Sequence, residues 1–125
     1  MAPTTMANVT AEEADGAVGI GGMLPQTGDE RAKSWARAVE AKYSVPADNF
    51  TVAYYDAMQM LKAAIEKVGC DKAAIRDTFA ATKGFKGMLI SYTADAHGDL
   101  AHTLGVYRNT GKTPMLTGTV NEAGF

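Results

Sequence analysis

Between Asp48 and Gly69 the chain has one local solution, a single long helix. Pro46 stops whatever precedes it, because its nitrogen has no hydrogen to donate. Asp48 is the right residue to cap the free N–H groups of a new helix. Ala53, Ala57, Met60, Leu61, Ala64 and Val68 then recur at three- and four-residue steps and draw one apolar stripe over about five turns. Gly69 ends it, since glycine takes the left-handed cap conformation without steric cost. A helix of this length with an apolar stripe requires an apolar surface to lie on, and the rest of the sequence has to supply it.

The flanking elements follow from the same rules. Residues 17–24 read as a short buried strand that ends in a loop at Pro25–Gly28. A helix begins near Asp29, with Ala32, Trp35, Ala36, Val39 and Tyr43 on one face. After Gly69, Cys70 or Asp71 caps a third helix that carries Ile75 and Phe79 and closes at Lys83-Gly84. The period then changes. Residues 88–93 favour a strand, Asp95–Asp99 is turn chemistry, residues 104–108 form another strand, and Asn109–Lys112 turns the chain into a last strand over 115–120. Residues 121–125 read as a loose tail. The order is strand, three helices, then several strands. This is an α/β arrangement with too few strands to occupy three helices, which reads as part of a larger unit.

Composition narrows the function. At 125 residues, 46% hydrophobic and 21% charged, the chain is an ordinary globular domain. A net charge of −2 and the absence of a basic run argue against nucleic acid or an anionic membrane as partner. No apolar stretch nears the roughly 20 residues that span a bilayer. Residues 1–15 contain Glu12, Glu13 and Asp15 and do not read as a secretory signal. One cysteine, Cys70, excludes an internal disulfide and a cysteine zinc site.

Three stretches together resemble a known family. The first is Phe50-Thr51-Val52-Ala53-Tyr54-Tyr55-Asp56-Ala57, continued by Leu61-Lys62-Ala63-Ala64-Ile65-Glu66-Lys67-Val68-Gly69. The second is Ile75-Arg76-Asp77-Thr78-Phe79-Ala80-Ala81-Thr82. The third is Phe85-Lys86-Gly87 with Tyr92-Thr93-Ala94-Asp95-Ala96-His97-Gly98-Asp99, followed by the strand pair around Gly105-Val106-Tyr107 and Gly111-Lys112. In this order they are similar to the C-terminal portion of type I periplasmic solute-binding proteins, the leucine/isoleucine/valine-binding family of ABC importers. The family has a second glycine where this chain has Ile90 and an aromatic where it has Ala94, departures expected to weaken the local turn.

The resemblance implies a partial type I periplasmic-binding fold, with three helices and a small set of strands. Such proteins have two α/β lobes joined by three crossings, and hold a solute in the cleft between them. Placed on that plan, residues 1–14 are a lead and 15–120 the C-terminal portion of the fold, with 121–125 a tail. Residues 28–100 belong to the first lobe, and 15–24 with 104–120 to the second; crossings lie near Pro25–Gly28 and Ala101–Thr103. The implied role is substrate binding for an importer of branched-chain amino acids or similar small organic molecules, without catalysis and without a cofactor. The implied partners are the solute in the full-length protein and the ABC transporter permease, in the periplasm or another extracytoplasmic space. As an isolated chain it is expected to form a homo-oligomer, because bare strand edges recruit other strands. The alternatives are a ligand-sensing receptor domain on the same fold and a free-standing α/β structural or interaction module.

Each candidate residue carries a plainer reading. The family's aromatic at Phe50 faces the cleft and touches the ligand; otherwise Phe50 is a staple over the helix start. Tyr54 and Tyr55 offer hydroxyls, or else one packs inside and the other lies at the surface. Gln26, Thr27 and Asp29 sit near a crossing and within reach of the cleft, with Gln26 the expected ligand contact; helix capping is the plainer reading of Thr27 or Asp29. His97 and His102 are five apart across a turn, the wrong spacing for a helical metal pair, and turn formation explains Asp95, His97 and Asp99. Cys70 has no base near it in sequence, as a nucleophile requires.

Overall fold

The computed structural model describes Met6 and residues 8–121. It contains helices α1 (Ala11–Ala14), α2 (Glu30–Tyr43), α3 (Asn49–Val68) and α4 (Lys72–Ala80). The strands are β1 (Val18–Gly22), β2 (Phe85–Lys86), β3 (Ser91–Ala94), β4 (Leu100–Ala101), β5 (Thr103–Thr110) and β6 (Thr113–Asn121). Two three-stranded sheets form, in the orders β1-β5-β6 and β2-β3-β4. All their pairings are antiparallel.

The caps are the ones the sequence demands. Asp29, Asp48 and Asp71 each accept the backbone N–H three residues on, which opens α2, α3 and α4. Gly69 ends α3 at φ 73° and ψ −163°, a positive-φ conformation open to glycine but not the left-handed helical one expected. At 20 residues α3 is the longest element. Residues 1–5 and 7 of the lead lie outside the described residues, and its end is structured: Thr10 and Glu13 close a reciprocal capping box on α1.

Four expectations need correction. The first strand, β1, is not buried, since Val18 and Ile20 are 64% and 65% exposed. The stripe of α3 that faces inward is Val52, Asp56, Met60 and Ala64, while Ala53 and Ala57 are exposed. The helix is rolled by its contact with Ala32 of α2 and with Met88, which with Val52 form the buried cluster, flanked by Trp35 and Leu89. Residues 88–93 are not one strand, because 87–90 turn back and Gly87 donates to the Ile90 carbonyl at 2.8 Å. Ile90 thus closes this turn through its carbonyl. Asn121 belongs to β6, paired with Thr103, and the rest of the expected tail lies outside the described residues.

The chain passes between the β1-β5-β6 sheet and the α2–α4 unit at two narrow places. One is Met23–Leu24, which leads into a 3-10 turn at Pro25–Thr27; the other is His102, the single residue between β4 and β5. Buried Tyr107 of β5 fastens the first of these. Its hydroxyl accepts the Leu24 N–H at 2.9 Å and donates toward the Gly22 carbonyl at 3.3 Å. Gly105 makes room, since a Cβ there would press on the Tyr107 ring. Tyr107→Phe leaves the Leu24 N–H buried without its acceptor, and is expected to cost about 1–2 kcal/mol in chemical denaturation.

Candidate functional site

The candidate residues gather around the start of α3. Here the end of β1, the 3-10 turn and the helix N-terminus converge. A Cβ on Gly22 would meet Asn49 Cβ at 3.0 Å, so β1 abuts the first turn of α3. Gln26 donates from Nε2 to the Ala47 carbonyl at 2.6 Å, which holds the segment entering the helix. Asp48 receives the Thr51 N–H at 2.8 Å and completes a capping box with the Thr51 hydroxyl.

Phe50 lies in this first turn and is 59% exposed, so it does not act as a staple over the helix start. The staple positions are Ala47 and Val52, both buried. Tyr54, one turn on, is 74% exposed and shares Phe50's side of the helix. Tyr55 turns the other way and packs its ring 5.3 Å from that of Trp35. Thr27 bonds the Leu24 carbonyl rather than capping α2, and Asp29 is that cap. The structure thus leaves an aromatic face at Phe50 and a hydroxyl at Tyr54 on one open surface, with Gln26 fixing the adjoining loop.

A second concavity separates the two units. An open groove of 520 Å³ runs between Met23, Thr103 and Thr119 on one side and Met88, Leu89 and Ser91 on the other. It is lined by apolar groups, hydroxyls and Lys86, and is suited to contact and hydrogen bonding. Among the described residues no three of His, Cys, Asp and Glu gather as a metal site. Cys70 is exposed beyond α3. The Asp95 carboxylate accepts from Asp99 at 2.9 Å and His97 at 2.8 Å, and these N–H groups hold its carboxyl below the usual range.

The residue that sequence reading missed is Asp56. It is 1% exposed, takes the Met88 N–H on Oδ1 at 2.8 Å and the Tyr92 hydroxyl on Oδ2 at 3.0 Å. It thereby ties the middle of α3 to the turn and the second strand of the β2–β3 hairpin, which forms one wall of the groove. Gly87 is obligatory beside it, because any Cβ would overlap the carboxylate. Burial, the Asp56 charge and the hydrogen bond to it push the Tyr92 phenol up. A raised folded-state value means that the neutral phenol stabilises the fold. That stability is complete below the unfolded tyrosine value of about 10 and is lost as pH rises above it. Denaturation midpoints should fall on going above pH ~10, and Tyr92→Phe should lose this part of the slope.

With this geometry in hand, the fold has clear counterparts among solved structures. No protein-family model matches the sequence, and no curated protein is detectably similar to it in sequence. A periplasmic binding protein from Burkholderia mallei superposes with a TM-score of 0.82 at 13% identity, over 94% of this chain and 33% of that one. The branched-chain amino acid substrate-binding protein LivJ from Streptococcus pneumoniae, in complex with isoleucine, gives 0.74 at 23%, over 90% and 32%. A solute-binding protein of an ABC transporter from R. palustris, in complex with benzoate, gives 0.68 at 21%, over 85% and 30%. The chain spans about a third of the length of the structures it matches. Its architecture is a partial type I periplasmic-binding fold, of the α/β class expected from the sequence.

Proposed function

We propose that this chain, as part of a two-lobed solute-binding protein of the type I periplasmic-binding fold, helps hold a small organic solute for an ABC importer. The observation that carries the reading is the similarity of 85–94% of the chain to solute-binding structures, two of them bound to isoleucine and to benzoate. In this reading residues 28–100 belong to the first lobe and 15–24 with 104–120 to the second. Phe50 and Tyr54 contact the solute and Gln26 positions the loop beside them. The role is non-catalytic, the location is periplasmic, and the permease is the macromolecular partner. Both bound solutes are small carboxylates with an apolar body, which an aromatic face and a hydroxyl are suited to grip.

A thermal-shift screen of branched-chain and aromatic carboxylates tests the reading on the two-lobed protein. A ligand at 100 times its Kd adds about 2.7 kcal/mol of stability, a shift of several degrees. Turnover of any of these compounds in place of a shift contradicts it. The isolated chain is expected to bind such solutes weakly and to form a homo-oligomer. Val18, Ile20, Phe50, Tyr54, Met58 and Met115 are each more than half exposed, a heavy apolar surface for a chain this small.

A further inference from the structure

Tyr107 reaches from the β1-β5-β6 sheet toward the start of α3. Its hydroxyl holds both ends of the short span from Gly22 to Leu24. It accepts the Leu24 N–H at 2.9 Å and donates toward the Gly22 carbonyl at 3.3 Å, with the Met23 sulfur beside it at 3.8 Å. Both ends of that span bear on α3. Gly22 abuts Asn49 in the first turn of the helix. The Leu24 carbonyl takes the Thr27 N–H at 3.0 Å and the Thr27 hydroxyl at 2.8 Å, which closes the 3-10 turn. Gln26 on that turn donates to the Ala47 carbonyl at 2.6 Å. Ala47 runs directly into the Asp48 cap, and Phe50 lies in the turn that this cap opens.

We propose that Tyr107 is a positioning residue of the solute site: its hydroxyl sets where the first turn of α3, and Phe50 with it, stands against the β1-β5-β6 sheet. The role at a solute site rests on the solute-binding reading above; the placement of the helix start does not.

The contacts are internal. Tyr107, Leu24, Pro25 and Ala47 are all buried, so the relay holds whatever lies over the open faces of the chain. The hydroxyl is the part that matters. A buried N–H needs an acceptor, and Tyr107 supplies the one for Leu24 while giving its own hydrogen onward. A phenylalanine ring of the same shape does neither. The sheet is also built around this ring. Gly105, two residues earlier on β5, leaves the space that a Cβ would take from it. Across from it β6 carries a bulge: Val106 pairs with Gly118 and Tyr107 with Leu116, so Thr117 is left over, and its hydroxyl closes on the Val106 carbonyl at 3.1 Å. Such a bulge sharpens the local twist where Tyr107 leaves the strand. A binding residue held to within about 0.5 Å by buried contacts grips better than one free to shift.

Tyr107→Phe keeps the ring and removes both bonds. Hydrogen exchange of the whole chain, free of solute, reads the placement. The amides of Leu24, Thr27 and Val52 should exchange about tenfold faster, the loss of one hydrogen bond, relative to the Met60 amide in the middle of α3, which reports overall stability. Equal acceleration at all four overturns the proposal and leaves Tyr107 a residue of general stability. Acceleration at Leu24 alone overturns it as well. In the two-lobed protein, calorimetry with isoleucine and with benzoate reads the consequence. Tyr107→Phe should weaken binding by about tenfold, and by much less in a Phe50→Ala background, because the hydroxyl acts through that ring. Unchanged affinity, or equal losses in the two backgrounds, overturns the role at the site. If the wild type binds neither solute while exchange follows the expected pattern, the solute-binding reading fails and the placement of the α3 start by Tyr107 stands.

Discussion

Asp56→Ala should cost about 3–4 kcal/mol of stability, the largest effect of any single substitution proposed for this chain. The carboxylate is sealed in and answers two donors, the Met88 N–H and the Tyr92 hydroxyl. Truncation leaves both donors buried without an acceptor and opens a void under the hairpin turn. The loss should be selective in space. The α2–α3 contact at Ala32 and Val52 remains, but the β2–β3 hairpin loses its tie to α3. Hydrogen exchange should therefore rise first at Gly87–Ile90. Asp56→Asn keeps the shape and an acceptor for Met88, and should cost less than half as much. Denaturant titration of the three proteins checks the order. Equal stability of Asp56→Ala and wild type would mean that the hairpin does not depend on this tie.

Phe50→Ala should weaken solute binding in the two-lobed protein by about 2 kcal/mol, roughly thirtyfold in Kd, if the ring is covered by the solute. The same substitution should leave the stability of the chain nearly unchanged, since the side chain is 59% exposed and the helix is capped by other residues. Phe79 is the control. It is half-buried on α4 and lines a small cavity with Met60 and Ala64 of α3. Phe79→Ala should cost about 2 kcal/mol of stability, less than a fully buried phenylalanine, and leave affinity alone. Calorimetry and denaturation of the two variants separate the roles. Unchanged affinity in Phe50→Ala returns that residue to a surface position without a contact.

The features legible in the sequence are those decided within a few residues. Asp29, Asp48 and Asp71 cap helices because a carboxylate reaches an N–H three positions on, and no distant contact changes that. The Asp95–Asp99 turn forms despite Ala94, because the Asp95 carboxylate organises the N–H groups after it. What escaped reading depends on partners far along the chain. Asp56 looks like a solvated helix residue until Met88 and Tyr92, 32 and 36 positions away, are brought onto it. The apolar run at 88–93 looks like a strand until that same carboxylate claims the Met88 N–H. Periodicity found the apolar residues of α3 but not which of its faces turns inward, because Ala53 and Ala57 mark a second face. Phe50 and Gln26 stand out by resemblance and Tyr54 by its hydroxyl, and periodicity alone does not separate them from their neighbours.

Calorimetric titration of the two-lobed protein with leucine, isoleucine, valine and benzoate is the most direct test of the solute-binding account. It predicts saturable, one-to-one binding of at least one of these carboxylates, with the ligand recovered unchanged and the affinity reduced in Phe50→Ala. No binding of any of the four, or chemical conversion of the one that binds, would contradict it.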